Sequence, residues 1–153
     1  MRVSVIGGGS VDETTAAVAE ELGEVLADRG HEIVCGGLSG VMEAVCRGAR
    51  SVGGHTIGIL PGGDRATANP YVETAIATDI NHARNPLVVM NGDAVIAVDG
   101  GPGTLSELGH ARALDKPVAG LDTHRVDSVS GIEHVGTPAA AVDYVEGVLS
   151  TVE

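Results

Sequence analysis

The sequence predicts an α/β fold with a single doubly wound parallel sheet between two layers of helices, a three-layer α/β/α arrangement. The main observation is that short apolar runs alternate with amphipathic segments of helical length along all 153 residues. A second is that glycine-rich turns, at 7–10, 36–40 and 100–104, directly follow three of the apolar runs. No linker or internal repeat interrupts this pattern, so a single domain is expected over residues 1–153.

The strands are the apolar runs themselves. A fully apolar stretch such as 94–98 is typical of a parallel strand that is buried on both faces. The predicted strands are 2–6, 32–35, 55–60, 94–98 and 117–121, with shorter ones at 73–78 and 132–135. If the five main strands have the spatial order 3-2-1-4-5, the three glycine-rich loops meet at one crevice. Doubly wound sheets bind their ligands there, outside the carboxyl ends of the strands.

The helices are placed by apolar residues at helical spacing and by residues typical of helix ends. They are expected from the first glycine turn to near residue 30, from 41 through 46, over 87–90, over 103–114 and from 138 through 149. Three of the helix starts are assigned to side-chain caps: Ser10 with Glu13, Asn85 followed by Pro86, and Thr104 with Glu107.

The charge balance argues against several classes of partner. Lys and Arg total 9 against 21 Asp and Glu, a net charge of −12, which disfavours nucleic acid and anionic membrane surfaces. The acid excess fits either a salt-adapted cytoplasm or a biased genome. No apolar run has spanning length and no signal peptide is recognisable, so a cytoplasmic protein is expected. Cys35 and Cys46 fall in segments expected to be buried, and the six His lack metal-ligand spacing.

The stretch 93–108 carries the most specific functional pattern. An apolar strand is followed by Gly100, Gly101 and Gly103, which allow positive φ and the close approach of a ligand to the backbone. Thr104 then begins a helix, whose free N–H groups would point at the glycine loop. This arrangement predicts an anion site that suits a phosphate.

Glu107 has two interpretations at this point. In the first, Thr104 and Glu107 form a capping box, and the carboxylate bonds to the backbone without any chemical role. In the second, Glu107 lies one helical turn from a bound phosphate and acts on the ligand as an acid, a base or an ion-pair partner. Local spacing alone favours the cap, because capping boxes are common at helix starts.

Three motifs resemble those of a known family: 36–44 (GGLSGVMEA), 83–85 (ARN) and 100–107 (GGPGTLSE). They are similar to the motifs of the Rossmann-like LOG superfamily, also known as possible lysine decarboxylases. That group includes the cytokinin-activating LOG phosphoribohydrolases and the molybdenum-cofactor carrier proteins. Ser106 before the Glu and Asn85 after the Arg are closer to the carrier-protein branch. No lysine is placed to hold a pyridoxal cofactor, so decarboxylation has no support.

The resemblance implies roles for individual residues. By analogy with the LOG enzymes, Arg84 and Glu107 are the catalytic candidates, and Thr104 with its glycines would bind the 5′-phosphate of a nucleotide. The full set of ligand-binding candidates is Gly8, Gly9, Ser10, Gly36, Gly37, Gly40, Met42, Asn85, Gly100, Gly101, Gly103 and Thr104. Asp99, Leu38 and Pro86 depart from the LOG pattern, and Asp99 would place an added carboxylate beside the phosphate. For Arg84, an ordinary ion pair with a neighbouring acid is the competing interpretation.

The expected function is therefore binding of a nucleotide or of a phosphorylated pterin-type cofactor, as in the molybdenum-cofactor carriers. One alternative is a nucleoside 5′-monophosphate phosphoribohydrolase, which gives free base and ribose 5-phosphate. Another is a regulatory nucleotide sensor. No cofactor or metal is required, and an AMP-like nucleotide or the molybdenum cofactor is the expected ligand. The resemblance further implies a homo-oligomer, a dimer or a tetramer, with the site near the interface.

Overall fold

A seven-stranded parallel sheet forms the middle layer of the structure, a computed structural model that describes residues 1–152. The strands are β1 (Arg2–Gly7), β2 (Glu32–Cys35), β3 (Thr56–Leu60), β4 (Thr74–Ala77), β5 (Ala94–Val98), β6 (Val118–Leu121) and β7 (Ile132–His134). Their order is β4-β3-β2-β1-β5-β6-β7, and every neighbouring pair is parallel. The predicted order of the five main strands is confirmed, and β4 and β7 extend the two edges.

Helices cover both faces of this sheet, so the three-layer doubly wound fold is confirmed. They are α1 (Glu13–Asp28), α2 (Val41–Ser51), α3 (Asn85–Met90), α4 (Pro102–Ala113) and α5 (Pro138–Ser150), with short 3₁₀ helices at Arg65–Thr67 and Asn81–Arg84. Apolar residues of α1, α2 and α5 form one buried cluster with the sheet, and those of α3 and α4 form a second. Within residues 1–152, no helix is long and apolar enough to cross a membrane.

The three predicted side-chain caps are wrong, each for a local reason. Helix α1 is capped by Asp12, whose side chain accepts from Thr15 N at 2.8 Å, so the helix begins later than a cap at Ser10 requires. At α3, the preceding 3₁₀ helix already gives Arg84 helical dihedrals, and Asn85 is therefore inside the helix. At α4, the cap position is Gly101, because Pro102 takes the first helical position.

Two glycines allow α1 and α2 to pack with their backbones in contact. A Cβ atom on Gly48 would lie 1.9 Å from the Glu20 carbonyl oxygen, and one on Gly23 would lie 2.1 Å from that of Val45. Both obstructing atoms belong to backbone, which cannot rotate away as a side chain can. The helices must separate to admit a methyl group at either position.

Gly48→Ala is accordingly expected to destabilise the protein by about 2 kcal/mol. The steric clash between the helices destabilises the fold more than the higher helix propensity of Ala stabilises α2. Denaturant unfolding at equilibrium measures this. The matched control is Gly147→Ala in α5, where an added Cβ meets nothing within 4 Å. That change should be neutral or slightly stabilising. Equal effects of the two substitutions would contradict the packing argument.

Candidate functional site

A pocket of about 310 Å³ opens at the carboxyl ends of β1, β2 and β5. Its walls come from the glycine loops after these three strands, from the segment that leads into α3, and from the first turns of α2 and α4. The predicted site residues that line it are Gly8, Gly9, Gly36, Met42, Arg84, Asn85, Gly101, Gly103, Thr104 and Glu107. The structure thus brings together the three motifs that lie far apart in the sequence.

Four predicted residues lie outside the pocket lining: Ser10, Gly37, Gly40 and Gly100. Two of them shape the loops instead. A Cβ on Gly40 would lie 2.2 Å from the Gly8 carbonyl oxygen, so this glycine lets the first two loops touch. Gly100 has φ +131, and a Cβ there would lie 2.5 Å from the Thr104 side chain. Both positions therefore require glycine for a structural reason.

Sequence reasoning missed several residues of the lining. Leu38, His82 and Pro102 each contribute to the wall of the pocket. Leu38 and Pro102 lie inside the glycine motifs, and His82 lies two residues before Arg84, so proximity to a motif was the available signal. Asp99 does not line this pocket and instead lines a separate cavity of about 340 Å³.

The N-terminus of α4 presents hydrogen-bond donors that no other group in residues 1–152 uses. The first N–H bonded within the helix is that of Leu105, which donates to Gly101 O at 3.1 Å. Within residues 1–152, the N–H groups of Gly103 and Thr104 have no acceptor, and no side chain caps the helix. Pro102 has no N–H to satisfy. A helix start of this kind carries partial positive charge and favours an anion.

Thr104 adds a hydroxyl to these donors. The residue is only 3% exposed, and its hydroxyl makes no hydrogen bond within the described part of the chain. The hydroxyl oxygen itself is not fully buried, because among the buried side-chain nitrogen and oxygen atoms of residues 1–152 only Arg2 Nε lacks a hydrogen-bond partner. Since Thr104 lines the pocket, this hydroxyl is available to a ligand.

Glu107 is the second buried polar residue of the pocket, and the capping-box interpretation of it is wrong. The residue is 9% exposed, and in residues 1–152 its carboxylate is engaged in neither a cap nor an ion pair. Burial raises the pKa of Glu107 to about 7, although the positive charge of Arg84 opposes this shift. A carboxyl with this pKa can give up or accept a proton near neutral pH.

Arg84 is held by backbone and amide oxygens. Its Nε donates to Ile59 O at 2.9 Å, its Nη2 donates to Gly36 O at 3.3 Å, and its Nη1 donates to the Asn85 side-chain oxygen. No carboxylate in residues 1–152 lies within 4.0 Å of it, so the ion-pair interpretation is wrong. Burial lowers the pKa of Arg84, but a guanidinium remains charged in proteins. A fixed positive charge therefore lies beside the pocket.

The two cysteines and the histidines form no metal centre. Cys35 and Cys46 are buried with their Sγ atoms 3.6 Å apart, as expected of small core residues. Across residues 1–152, no group of three or more His, Cys, Asp or Glu side chains is placed to hold a metal ion. The polar groups that line the pocket are backbone N–H groups, the Thr104 hydroxyl, the Glu107 carboxyl, the Arg84 guanidinium, and the side chains of Asn85 and His82.

Comparison with known proteins agrees with this architecture. An uncharacterized protein of Archaeoglobus fulgidus is 43% identical over 144 residues, which cover 94% of this chain and 93% of that protein. The cytokinin riboside 5′-monophosphate phosphoribohydrolase of Mycobacterium tuberculosis is 35% identical over 114 residues. That alignment covers 69% of this chain but 61% of the enzyme, less than two thirds of its length.

Among solved structures, the molybdenum cofactor binding protein of the phototrophic bacterium Rippkaea orientalis is similar over almost the whole chain. The TM-score is 0.91 at 31% sequence identity, and the match covers 97% of this chain and 96% of the other. The model of the SLOG cluster4 family matches residues 1–148. The chain therefore belongs to the SLOG cluster4 family, in the LOG superfamily, and its fold is that of the molybdenum-cofactor carrier branch.

Proposed function

We propose that this protein binds a small phosphorylated ligand, a mononucleotide or a phosphorylated pterin, with the phosphate at the N-terminus of α4. One observation carries the proposal: the hydroxyl of Thr104 and the N–H groups of Gly103 and Thr104 line one pocket, and none of them has a hydrogen-bond partner within residues 1–152. Phosphate oxygens accept hydrogen bonds from all of these groups, and the helix dipole favours their charge. Arg84 adds a nearby positive charge.

The size and lining of the pocket support a ligand of this class. Its volume of about 310 Å³ lies at the lower end of small-molecule sites. Leu38 and Met42 also line the pocket and would provide apolar contact for the ring of such a ligand. The molybdenum cofactor is one such ligand, because its phosphate would accept hydrogen bonds from the free donors at the start of α4.

The extent of similarity favours a carrier over an enzyme. The Rippkaea orientalis structure superposes on 97% of this chain with 96% of its own length, whereas the sequence alignment with the Mycobacterium tuberculosis enzyme covers 61% of that enzyme. The departures of Asp99, Leu38 and Pro86 from the LOG pattern point the same way. Binding without turnover is therefore our first proposal. A sensor that passes occupancy of the pocket to another protein would use the same contacts.

One observation favours a phosphoribohydrolase as the second candidate. Glu107 lies in the pocket without a structural partner, and its pKa of about 7 suits proton transfer at neutral pH. In N-glycosidic cleavage of a nucleoside 5′-monophosphate, an ionised Glu107 would stabilise positive charge that develops on the ribose. Arg84 would then fix the phosphate or orient the carboxylate.

A proton NMR time course of AMP with the purified protein, at low and at high salt, separates these candidates. We expect the AMP signals to broaden and remain intact, because the nucleotide exchanges between the free and bound states and is not cleaved. Free adenine and ribose 5-phosphate, produced in proportion to protein concentration, would replace the carrier proposal with the hydrolase. An unperturbed spectrum would contradict nucleotide binding and direct the same experiment to a phosphorylated pterin.

We also propose that a second copy of the chain covers the α3/α4 face. Of seven exposed large hydrophobic residues, four lie there: Ile76, Met90, Leu105 and Leu114. Ile76 belongs to this face because it pairs with Ile59, which is part of the cluster under α3 and α4. Next to Leu105, α4 exposes Ser106, which has a small side chain, and Gly109, which has none. Another helix can therefore approach α4 closely at these positions.

Leu105→Glu is expected to convert a dimer or tetramer into a monomer, because it places a charge in the proposed contact. Light scattering coupled to size-exclusion chromatography measures the mass. The control is Val52→Glu, which changes an exposed apolar residue at the end of α2, on the opposite face. A wild-type protein that is already monomeric at micromolar concentration would exclude the proposed assembly.

A further inference from the structure

The turn between β5 and α4 is held from outside the pocket by two consecutive side chains. Thr123 donates its hydroxyl to Asp99 O at 2.7 Å, and His124 Nε2 lies 2.9 Å from Gly101 O. Since a carbonyl oxygen can only accept, the His124 ring carries a proton on Nε2 in this contact. Neither Thr123 nor His124 lines the pocket. Both belong to the loop after β6, in which the sequence indicated no functional residue.

This turn has a backbone conformation that needs support. Asp99 has φ 54 in the left-handed region, which residues other than glycine seldom adopt, and Gly100 has φ 131. Two successive glycines give the chain access to many other conformations, so a free turn would lose its geometry. One further backbone bond anchors the turn to the sheet, from Asp99 N to Leu121 O at 3.1 Å.

The two held carbonyl groups control the direction of the anion-binding donors. In a trans peptide the C=O and the following N–H point in opposite directions, so anchoring Asp99 O to Thr123 turns the Gly100 N–H away from the β6 loop. Gly101 O also accepts the first hydrogen bond of α4, from Leu105 N. The contact with His124 therefore fixes the helix turn that carries the free N–H groups of Gly103 and Thr104.

We infer that Thr123 and His124 are positioning residues, which hold the turn at 99–101 so that the N-terminus of α4 meets a phosphate in binding geometry. The inference rests on the proposed phosphate site, and it extends that site to a loop that contributes nothing to the pocket wall. It predicts that the loop after β6 controls affinity for the phosphate and leaves contacts with the rest of the ligand unchanged.

The test uses Thr123→Val and His124→Leu, which keep the side-chain volume and remove the donor. AMP and adenosine are the two probes, each titrated against ¹⁵N-labelled protein by NMR. We expect each single variant to weaken AMP binding by about fivefold, which is the usual contribution of one neutral hydrogen bond. The double variant should weaken AMP binding by more than about 20-fold. Adenosine affinity should not change. His124→Gln should recover most of the loss, because its amide can donate to Gly101 O.

The matched control is Thr151→Val, which removes the same kind of hydroxyl-to-carbonyl bond at the end of α5, where Thr151 donates to Val148 O at 2.7 Å. It should bind AMP like the wild type. An AMP affinity in the double variant within twofold of the wild-type value would overturn the positioning role, as would an equal loss for adenosine.

A measurement on the free protein separates this inference from the proposed function. Backbone ¹⁵N relaxation should show lower order parameters for Gly100 and Gly101 in the double variant than in the wild type. If the wild-type protein binds neither AMP nor inorganic phosphate, the proposed phosphate site fails, and the relaxation data alone decide the positioning role. Unchanged order parameters at the two glycines would overturn it.

Discussion

Replacing Glu107 with Gln should raise the free energy of unfolding by about 3 kcal/mol at pH 8 and leave it nearly unchanged below pH 4. The reason is that burial raises the pKa of this carboxyl from 4.5 to about 7 in the folded protein. At pH 8, ionisation of Glu107 is therefore less favourable in the folded state than in the unfolded state, and this difference lowers the free energy of unfolding. The amide of Gln has no charge to desolvate.

The direction with pH follows from proton binding. Between pH 4.5 and 7 the folded state holds a proton on Glu107 that the unfolded state has already released. The wild-type protein should thus lose stability from this residue as pH rises through that window, and the loss is complete above about pH 7. The difference between Glu107→Gln and wild type should grow over the same window and then remain constant.

Urea unfolding of both proteins from pH 4 to pH 8 measures this difference. The control is Glu21→Gln, which removes the same charge from an exposed position of α1 and should change stability by less than about 0.5 kcal/mol. Parallel stability curves for Glu107→Gln and wild type would mean that Glu107 ionises normally. The same variant tests chemistry, because a phosphoribohydrolase should lose its activity while its affinity for AMP is kept.

The destabilisation expected from ionised Glu107 distinguishes this residue from the carboxylates that stabilise the fold. A residue used only for structure would have its carboxylate bonded, as Asp12 does at the start of α1. Glu107 has no such bond within residues 1–152, and burial raises its pKa although the charge of Arg84 lowers it. Buried groups with perturbed pKa values are concentrated at functional sites. The stability that Glu107 removes is consistent with selection for binding or catalysis at this position.

The sequence predicted the fold well because its apolar runs and its glycine turns both indicated alternating strands and helices. The run 94–98 is apolar on both faces and becomes the central strand β5, and the glycines after it start a helix within a few residues. The positions of β4 and β7 at the sheet edges also agree with their shorter and less apolar sequences. The strand order 3-2-1-4-5 was assumed because it brings the three glycine loops to one crevice, and the structure has that order for the five main strands.

The helix starts were harder to predict, because their signatures depend on a shift of one to three residues. Thr104 and Glu107 have the spacing of a capping box, yet Pro102 begins α4 and moves Thr104 into the first turn. Its hydroxyl is thereby left for the pocket, so this error concealed a functional feature. Likewise, no local pattern could show that Thr123 and His124 contact the turn at 99–101, since these contacts join segments about 24 residues apart.

Gly103→Val is expected to weaken AMP binding by at least about 100-fold, close to 3 kcal/mol, while unfolding remains cooperative. A Cβ at this position meets only the Asn85 side-chain nitrogen, at 3.6 Å, so the fold accepts it. The two methyl groups of Val would extend into the pocket, which Gly103 lines, and would occupy the space in front of the free N–H groups of α4. Isothermal titration calorimetry with AMP measures the loss.

Gly147→Val is the matched control, because it places the same β-branched residue in a helix, α5, at an exposed site with nothing within 4 Å and away from the α3/α4 face. It carries the same cost in helix propensity without reaching the pocket. If both variants bind AMP like the wild type, the phosphate does not lie on α4. If Gly103→Val alone loses binding, the donors at the start of α4 hold the ligand. Any effect of Thr123 and His124 on AMP affinity must then act through these donors at the start of α4.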